Sequence, residues 1–196
     1  MKKLNKRIIS KICIFLGASL LVFGMLVLVC WQWNIYSSIQ NTESYLQTIR
    51  TRMPTPQSTI PEERKDNTMP VFSVDGINFA GILEMPRYDS ALPICADWGR
   101  ITKYPCRFDG SVYNRTIQIG ATSQKGQYDF YREISVGDTI FFTDMEGNRY
   151  TYVITNLCYE KHADQATLAN TDSALTLFIK IVYDFEYLIV SCDILN

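Results

Sequence analysis

A single histidine, His162, stands in 196 residues, and that scarcity narrows the chemistry first. Zinc sites draw on paired cysteines and histidines at short spacings. The spacings of Cys95, Cys106, Cys158 and Cys192 fit no such pattern, so no metal and no cofactor is expected. Internal repeats are also missing. Charge is absent from Ile12 to Trp33, "ICIFLGASLLVFGMLVLVCWQW". About 20 such residues cross a bilayer core of roughly 30 Å. No A-x-A-like site follows the run, and Val29 before Cys30 is a poor lipobox residue, so the run reads as a retained anchor and not a cleaved leader.

Lys2, Lys3, Lys6, Arg7 and Lys11 precede the anchor, while Trp31, Trp33 and Tyr36 follow it. Basic residues stay in the cytoplasm and aromatic rings settle at the interface. A basic tail (1–11) is therefore expected inside, with a single-pass anchor (12–33) in the cell membrane and everything beyond it outside. Five of the 19 basic residues precede the anchor and all 20 acidic residues follow it. The outer part thus holds 14 basic against 20 acidic residues, a net charge of −6. That balance excludes nucleic acid and anionic membrane surfaces as its partners. Outside the cytoplasm the four outer cysteines can form disulfides, and three connectivities are open to them.

Apolar residues at 35, 39, 45, 46 and 49 predict a short stalk helix continuing from the membrane. "TRMPTPQSTIPEERKDNTMP" has four prolines and mixed charge and reads as a linker, so 34–70 form stalk and linker. From about Val71 the pattern changes. "FAGILEMP", "RTIQIGAT", "DTIFFTD", "RYTYVITNL", "LTLFIKIV" and "EYLIVSC" are dense in β-forming residues. Turn pairs such as Asp75-Gly76 and Gly137-Asp138 separate them, and "DTIFFTDMEGNRYTYVI" reads as a hairpin. An all-β barrel or sandwich over 71–196 follows, with helical turns near Gln127–Glu133 and Ala163–Ala169.

The order "GILEMPRYDSALPI", "PCRFDGSVYNRTIQIGAT", "YREISVGDTIFFTDMEGNRYTYVI" and "LTLFIK…YLIV" resembles the sortases, the membrane-anchored cysteine transpeptidases of Gram-positive bacteria. The likeness is greatest to their class B and class D-like members and covers about residues 75–193. It implies a closed eight-stranded β-barrel. It also implies where catalytic groups would stand. The family's histidine position falls on Thr122 of "IGAT", its nucleophilic cysteine on Lys180 of "TLFIK", and its arginine, seven residues on, on Tyr187. All three are replaced.

Sortase transfer needs a thiolate, a proton donor for the leaving amine and a cation near the oxyanion. A threonine hydroxyl cannot shuttle a proton as imidazole does, and a phenol brings no charge. An amine attacking a peptide carbonyl yields another amide, so turnover would stop. The reading is a barrel that keeps the fold without the reaction. Its groove, set by Ala121, Thr122, Ile179, Lys180 and Tyr187, would hold a sorting-signal peptide, a surface or pilin protein, or an active sortase. Lys180 would point into that cleft and favour an acidic group such as a C-terminal carboxylate.

Two alternatives stay open. One is an active but divergent sortase, using Cys158 and His162 of "CYEKH" as a surrogate pair. The other is a stalked structural domain with no groove ligand, in which Lys180 only guards a strand edge.

Overall fold

The computed structural model describes residues 6–60, 67–161, 172–182, 184 and 186–195, and of residues 6–10, 34, 35 and 38 the backbone alone. Among the described residues one α-helix, α1, runs Lys6–Arg52. Its segment Lys11–Trp33 is long and apolar enough to cross a membrane. The chain divides into two compact units, Met1–Ser38 and Ile39–Asn196. The second holds every strand found among the described residues.

Those strands are β1 (Gln57–Ser58), β2 (Phe72–Val74), β3 (Ile77–Met85), β4 (Ser90–Cys95), β5 (Cys106–Asp109), β6 (Ile117–Thr122), β7 (Thr139–Asp144), β8 (Asn148–Glu160), β9 (Leu175–Lys180) and β10 (Tyr187–Ile194). Eight of them close a ring in the order β3-β4-β5-β6-β9-β10-β8-β7 and back to β3. β1 and β2 add to its outside, on β8 and β3. The expected closed eight-stranded barrel is what forms. Closure leaves no long edge inside the ring for another chain to pair with.

Alternation along each strand fills the barrel. Ile117, Ile119 and Ala121 of β6, Leu175, Leu177 and Ile179 of β9, and Leu188, Val190 and Cys192 of β10 point inward, where they meet Ile140, Phe142, Tyr150 and Tyr152. The β7–β8 hairpin is present as expected. Its turn is held by the buried Asp144 carboxylate, which accepts from the backbone N–H of Glu146 and of Asn148, both at 2.9 Å. Gly147, at φ 84°, supplies the left-handed residue that the turn requires. Residues 127–133 form a string of hydrogen-bonded turns, while 163–169 lie outside the described residues.

Two strands, β4 and β5, carry little sequence signal. "SALPIC" includes a proline and "CRFD" spans only four residues. The segment expected as stalk and linker also differs from expectation, because part of it is built into the domain. Tyr45, Leu46 and Ile49 form one stripe of α1 and, with Met53 just beyond its end, pack on the outside of β3–β5, against Phe79, Ile82, Cys95, Tyr104 and Cys106. Tyr45, Phe79 and Tyr104 make a three-ring cluster with centroids 5.5–6.3 Å apart. Glu84 accepts from Arg50 of α1 and Arg149 of β8, each at 2.7 Å. Gln57–Ser58 add a parallel strand to β8, and Met69 enters the barrel core.

Ile49 is 1% exposed, so replacing it by alanine removes buried methyls and leaves a cavity. Ile49→Ala in the full chain is expected to cost about 2–4 kcal/mol in urea unfolding. A stalk that merely spaced the domain from the membrane would show no change.

A second staple joins the turn after β3 to the segment before β7. Asp138 accepts from Arg87 Nη1 at 2.6 Å, from the Tyr88 hydroxyl, and from Ser135 N at 2.9 Å. Burial pushes this carboxyl up, but the three donors outweigh burial and hold it below 3.8. A depressed folded-state value means the contribution is complete above the ordinary carboxylate range and is lost as pH falls through it. Asp138→Asn should therefore lower stability by about 1–3 kcal/mol at pH 7 and flatten the acid limb of the stability curve below about pH 5. Parallel acid limbs for wild type and variant would contradict this account.

Candidate functional site

β6 and β9 run parallel as neighbours, and β10 returns antiparallel beside β9. Thr122 pairs with Lys180, Lys180 with Tyr187, and Tyr187 with Glu160 at the end of β8. The three positions singled out in the sequence thus form one row across the strand ends. Register partners share a face, and that face is set by their inward neighbours. Since Ala121, Ile179 and Leu188 enter the core, Thr122, Lys180 and Tyr187 stand on the outer wall.

This corrects two expectations. Ala121 and Ile179 are 3% and 0% exposed inside the barrel and cannot line a groove. Lys180 does not point into a cleft in the barrel; it is exposed on the outer wall, which the period-two geometry of a strand requires once Ile179 faces inward. An ammonium in that position needs no buried counter-charge. It presents three donors to whatever approaches the wall.

Thr122 differs from its neighbours in being only 5% exposed. Its N–H donates to Gln127 Oε1 at 2.8 Å, and its carbonyl accepts from Tyr128 N at 3.2 Å. Its hydroxyl oxygen is buried without a hydrogen-bond partner. Ser123 N donates to the Lys180 carbonyl at 2.9 Å, and the Ser123 hydroxyl accepts from Val182 N at 3.1 Å. The ends of β6 and β9 are therefore sewn together beyond the sheet.

The next row inward along the strands is Gly120, Phe178, Ile189 and Cys158. The indole of Trp98 packs against Gly120, so that a Cβ there would come within 2.4 Å of the ring. Trp98 meets Phe108 edge-on at 4.7 Å, and Phe108 meets Phe178 at 6.1 Å. An apolar plate thus adjoins the polar row on the same wall. None of Trp98, Phe108, Phe178 and Gly120 was singled out from the sequence. The available signal was a glycine inside a strand pattern, which marks close approach of another group.

Cys158 belongs to this plate, packed with Phe178 and Ile189. Its thiol is 3.6 Å from Glu160 Oε1. Burial, and then the neighbouring carboxylate, push its pKa up, which is opposite to what a nucleophile needs. His162 lies outside the described residues. Cys192 is sealed in the barrel core, and burial pushes its thiol up as well. Among the described residues the row holds a hydroxyl, an ammonium, a phenol and a carboxylate, and no thiol or imidazole. No cluster of metal ligands occurs among them either.

No family model and no curated protein matches the sequence. Solved structures do match the fold. Sortase C1 from Streptococcus agalactiae superposes with a TM-score of 0.52 at 15% identity, over 63% of this chain and 71% of that one. Sortase A from Corynebacterium diphtheriae gives 0.51 at 16% identity, over 83% and 84%. Its lid mutant gives 0.50 at 17% identity, over 61% and 72%. With the ring order and the eight closed strands, these likenesses establish that the strand-bearing unit of this chain is a barrel of the sortase fold.

Proposed function

We propose that this chain is a membrane-anchored, sortase-like protein that binds a peptide or partner without catalysing transpeptidation. The basic tail stays inside, Lys11–Trp33 spans the membrane and the barrel faces out. The observation that carries this reading is the Thr122–Lys180–Tyr187 row, in register where the sortase resemblance puts histidine, cysteine and arginine.

Chemistry supports the loss of the reaction. Acyl transfer needs a leaving group that a second nucleophile can displace, which a thioester offers and a lysine amide does not. Thr122 has its hydroxyl buried, and Tyr187 cannot place a positive charge at an oxyanion. Binding is another matter. The outer wall offers a donor-rich cation beside an apolar plate, which suits an extended segment carrying a carboxylate and at least one apolar side chain. A sorting-signal peptide, a surface or pilin protein, or an active sortase has such segments. In this reading the protein assists surface-protein or pilus assembly.

Two measurements test it together. Purified full-length protein, incubated with Leu-Pro-x-Thr-Gly or Asn-Pro-x-Thr peptides and an amine acceptor, should give neither cleaved nor transferred product. Calorimetry with the same peptides, and with peptides ending in a free carboxylate, should show binding that Lys180→Met weakens about tenfold or more. Product that disappears in Cys158→Ala would establish a divergent enzyme instead. Failure of every peptide to bind would leave the structural-domain alternative.

A further inference from the structure

β4 and β5 are joined through one ladder pair, Cys95 with Cys106. Elsewhere the ring is closed by longer ladders, such as the six pairs between β6 and β9. The narrowest seam of the barrel is therefore made by two cysteines. Both side chains are fully buried and belong to the same apolar cluster, on the face covered by α1. Neighbouring strands lie about 4.8 Å apart, inside the 4.4–6.8 Å span that a disulfide bridges between Cα atoms. Cys95 N donates to the Pro105 carbonyl at 2.8 Å, fixing the two strands at this point. Both residues are free thiols in this structure.

The outer cysteines have no other pairing of comparable geometry. Cys192 points into the barrel core and Cys158 lies on the opposite side of the β8–β10 sheet, in the aromatic plate. Their register partners are Ile154 and Ile189, which stand four residues from Cys158 on β8 and three residues from Cys192 on β10. Neither cysteine joins the cluster that holds Cys95 and Cys106.

We infer that Cys95 and Cys106 close to a disulfide that welds the β4–β5 seam and ties off the loop 96–105. This rests on the outward placement of the domain proposed above. The co-reactant is a disulfide, either of a small thiol or of a thiol–disulfide oxidoreductase. The Cys95 thiolate attacks one of its sulfurs and its S–S bond breaks, releasing one thiol. The Cys106 thiolate then attacks Cys95 Sγ in the mixed disulfide and releases the second. Two cysteine thiols are oxidised, one external disulfide is reduced, and the two cysteine protons end on the released thiols. Because both sulfurs are buried in the folded domain, closure takes place during folding, before α1 covers the cluster.

The two thiols interact directly by hydrogen bonding across the seam, so the sulfurs face each other whichever cysteine attacks first. The loop so closed carries Trp98, whose ring lies on Gly120 next to the Thr122–Lys180 row. The disulfide thereby fixes the aromatic plate that flanks the proposed binding wall.

Peptide mapping decides the matter. Membranes are alkylated without reductant, and the full chain is purified and digested with trypsin. Cleavage after Arg87, Arg100, Lys103 and Arg107 should give Tyr88–Arg100 joined to Tyr104–Arg107, a species that dithiothreitol splits. Reductant should also lower the melting temperature of the wild type by about 5–10 °C and leave Cys95→Ala/Cys106→Ala unmoved. Recovery of both peptides alkylated, from cells in which added protease reaches the barrel, overturns the proposal and leaves the membrane orientation standing. If protease does not reach the barrel, the orientation is wrong, and the purified chain, reduced, unfolded in urea and refolded in excess oxidised glutathione, decides the pairing. There the joined peptide supports the inference, and its absence, or a link to Cys158 or Cys192, overturns it.

Discussion

The parallel ladder between β6 and β9 is the constraint on which the site depends. Six register pairs, from Ile117 with Leu175 to Thr122 with Lys180, align two strands separated by a hairpin and a long connection. A parallel pair cannot be made by a tight turn, so the intervening chain must travel round the barrel to return. It does so as β7 and β8, which close the ring. Once the inward residues of β6 and β9 are buried, slipping the register by one residue would turn Lys180 into the core and Ile179 to water. Hydrophobic burial thus fixes where the charge stands, without any ion pair being needed to hold it there.

The outer wall of those strands is divided between two chemistries. The row at the strand ends is polar, Thr122, Lys180, Tyr187 and Glu160, while the row behind it is covered by Trp98, Phe108, Phe178 and Ile189. Packing an indole against a glycine needs no cavity and gives the loop after β4 a fixed seat. The thiol of Cys158, lying in the apolar row beside Glu160, is kept protonated by the surroundings that make it a good packing residue. The wall thus sets a polar row beside an apolar one, and the one thiol described on it is held in its protonated form.

The composition of α1 changes along its length. Its segment Lys11–Trp33 is long and apolar enough to cross a membrane, while its last turns narrow to a stripe of Tyr45, Leu46 and Ile49, continued by Met53. That stripe, the Glu84 salt bridges and β1 make the segment after the span part of the folded domain. Proline-rich composition alone reads as linker, because composition does not register a two-residue strand or one buried methionine such as Met69.

Alternation in "RTIQIGAT" and "RYTYVITNL", and the turn chemistry of "DMEGN", determined the strands and the hairpin, since both are local properties of the chain. The charge-free run determined, for the same reason, a helix long and apolar enough to cross a membrane. β4 and β5 were weakly written, as a strand of four residues or one holding proline owes its existence to neighbours far along the chain. Aligned motifs identified Thr122, Lys180 and Tyr187, but only the closed ring decided that they share a row, that the row lies on the outer wall, and that Ala121 and Ile179 belong to the core. Which face of a strand is inside is a property of the barrel as a whole, and no single segment contains it.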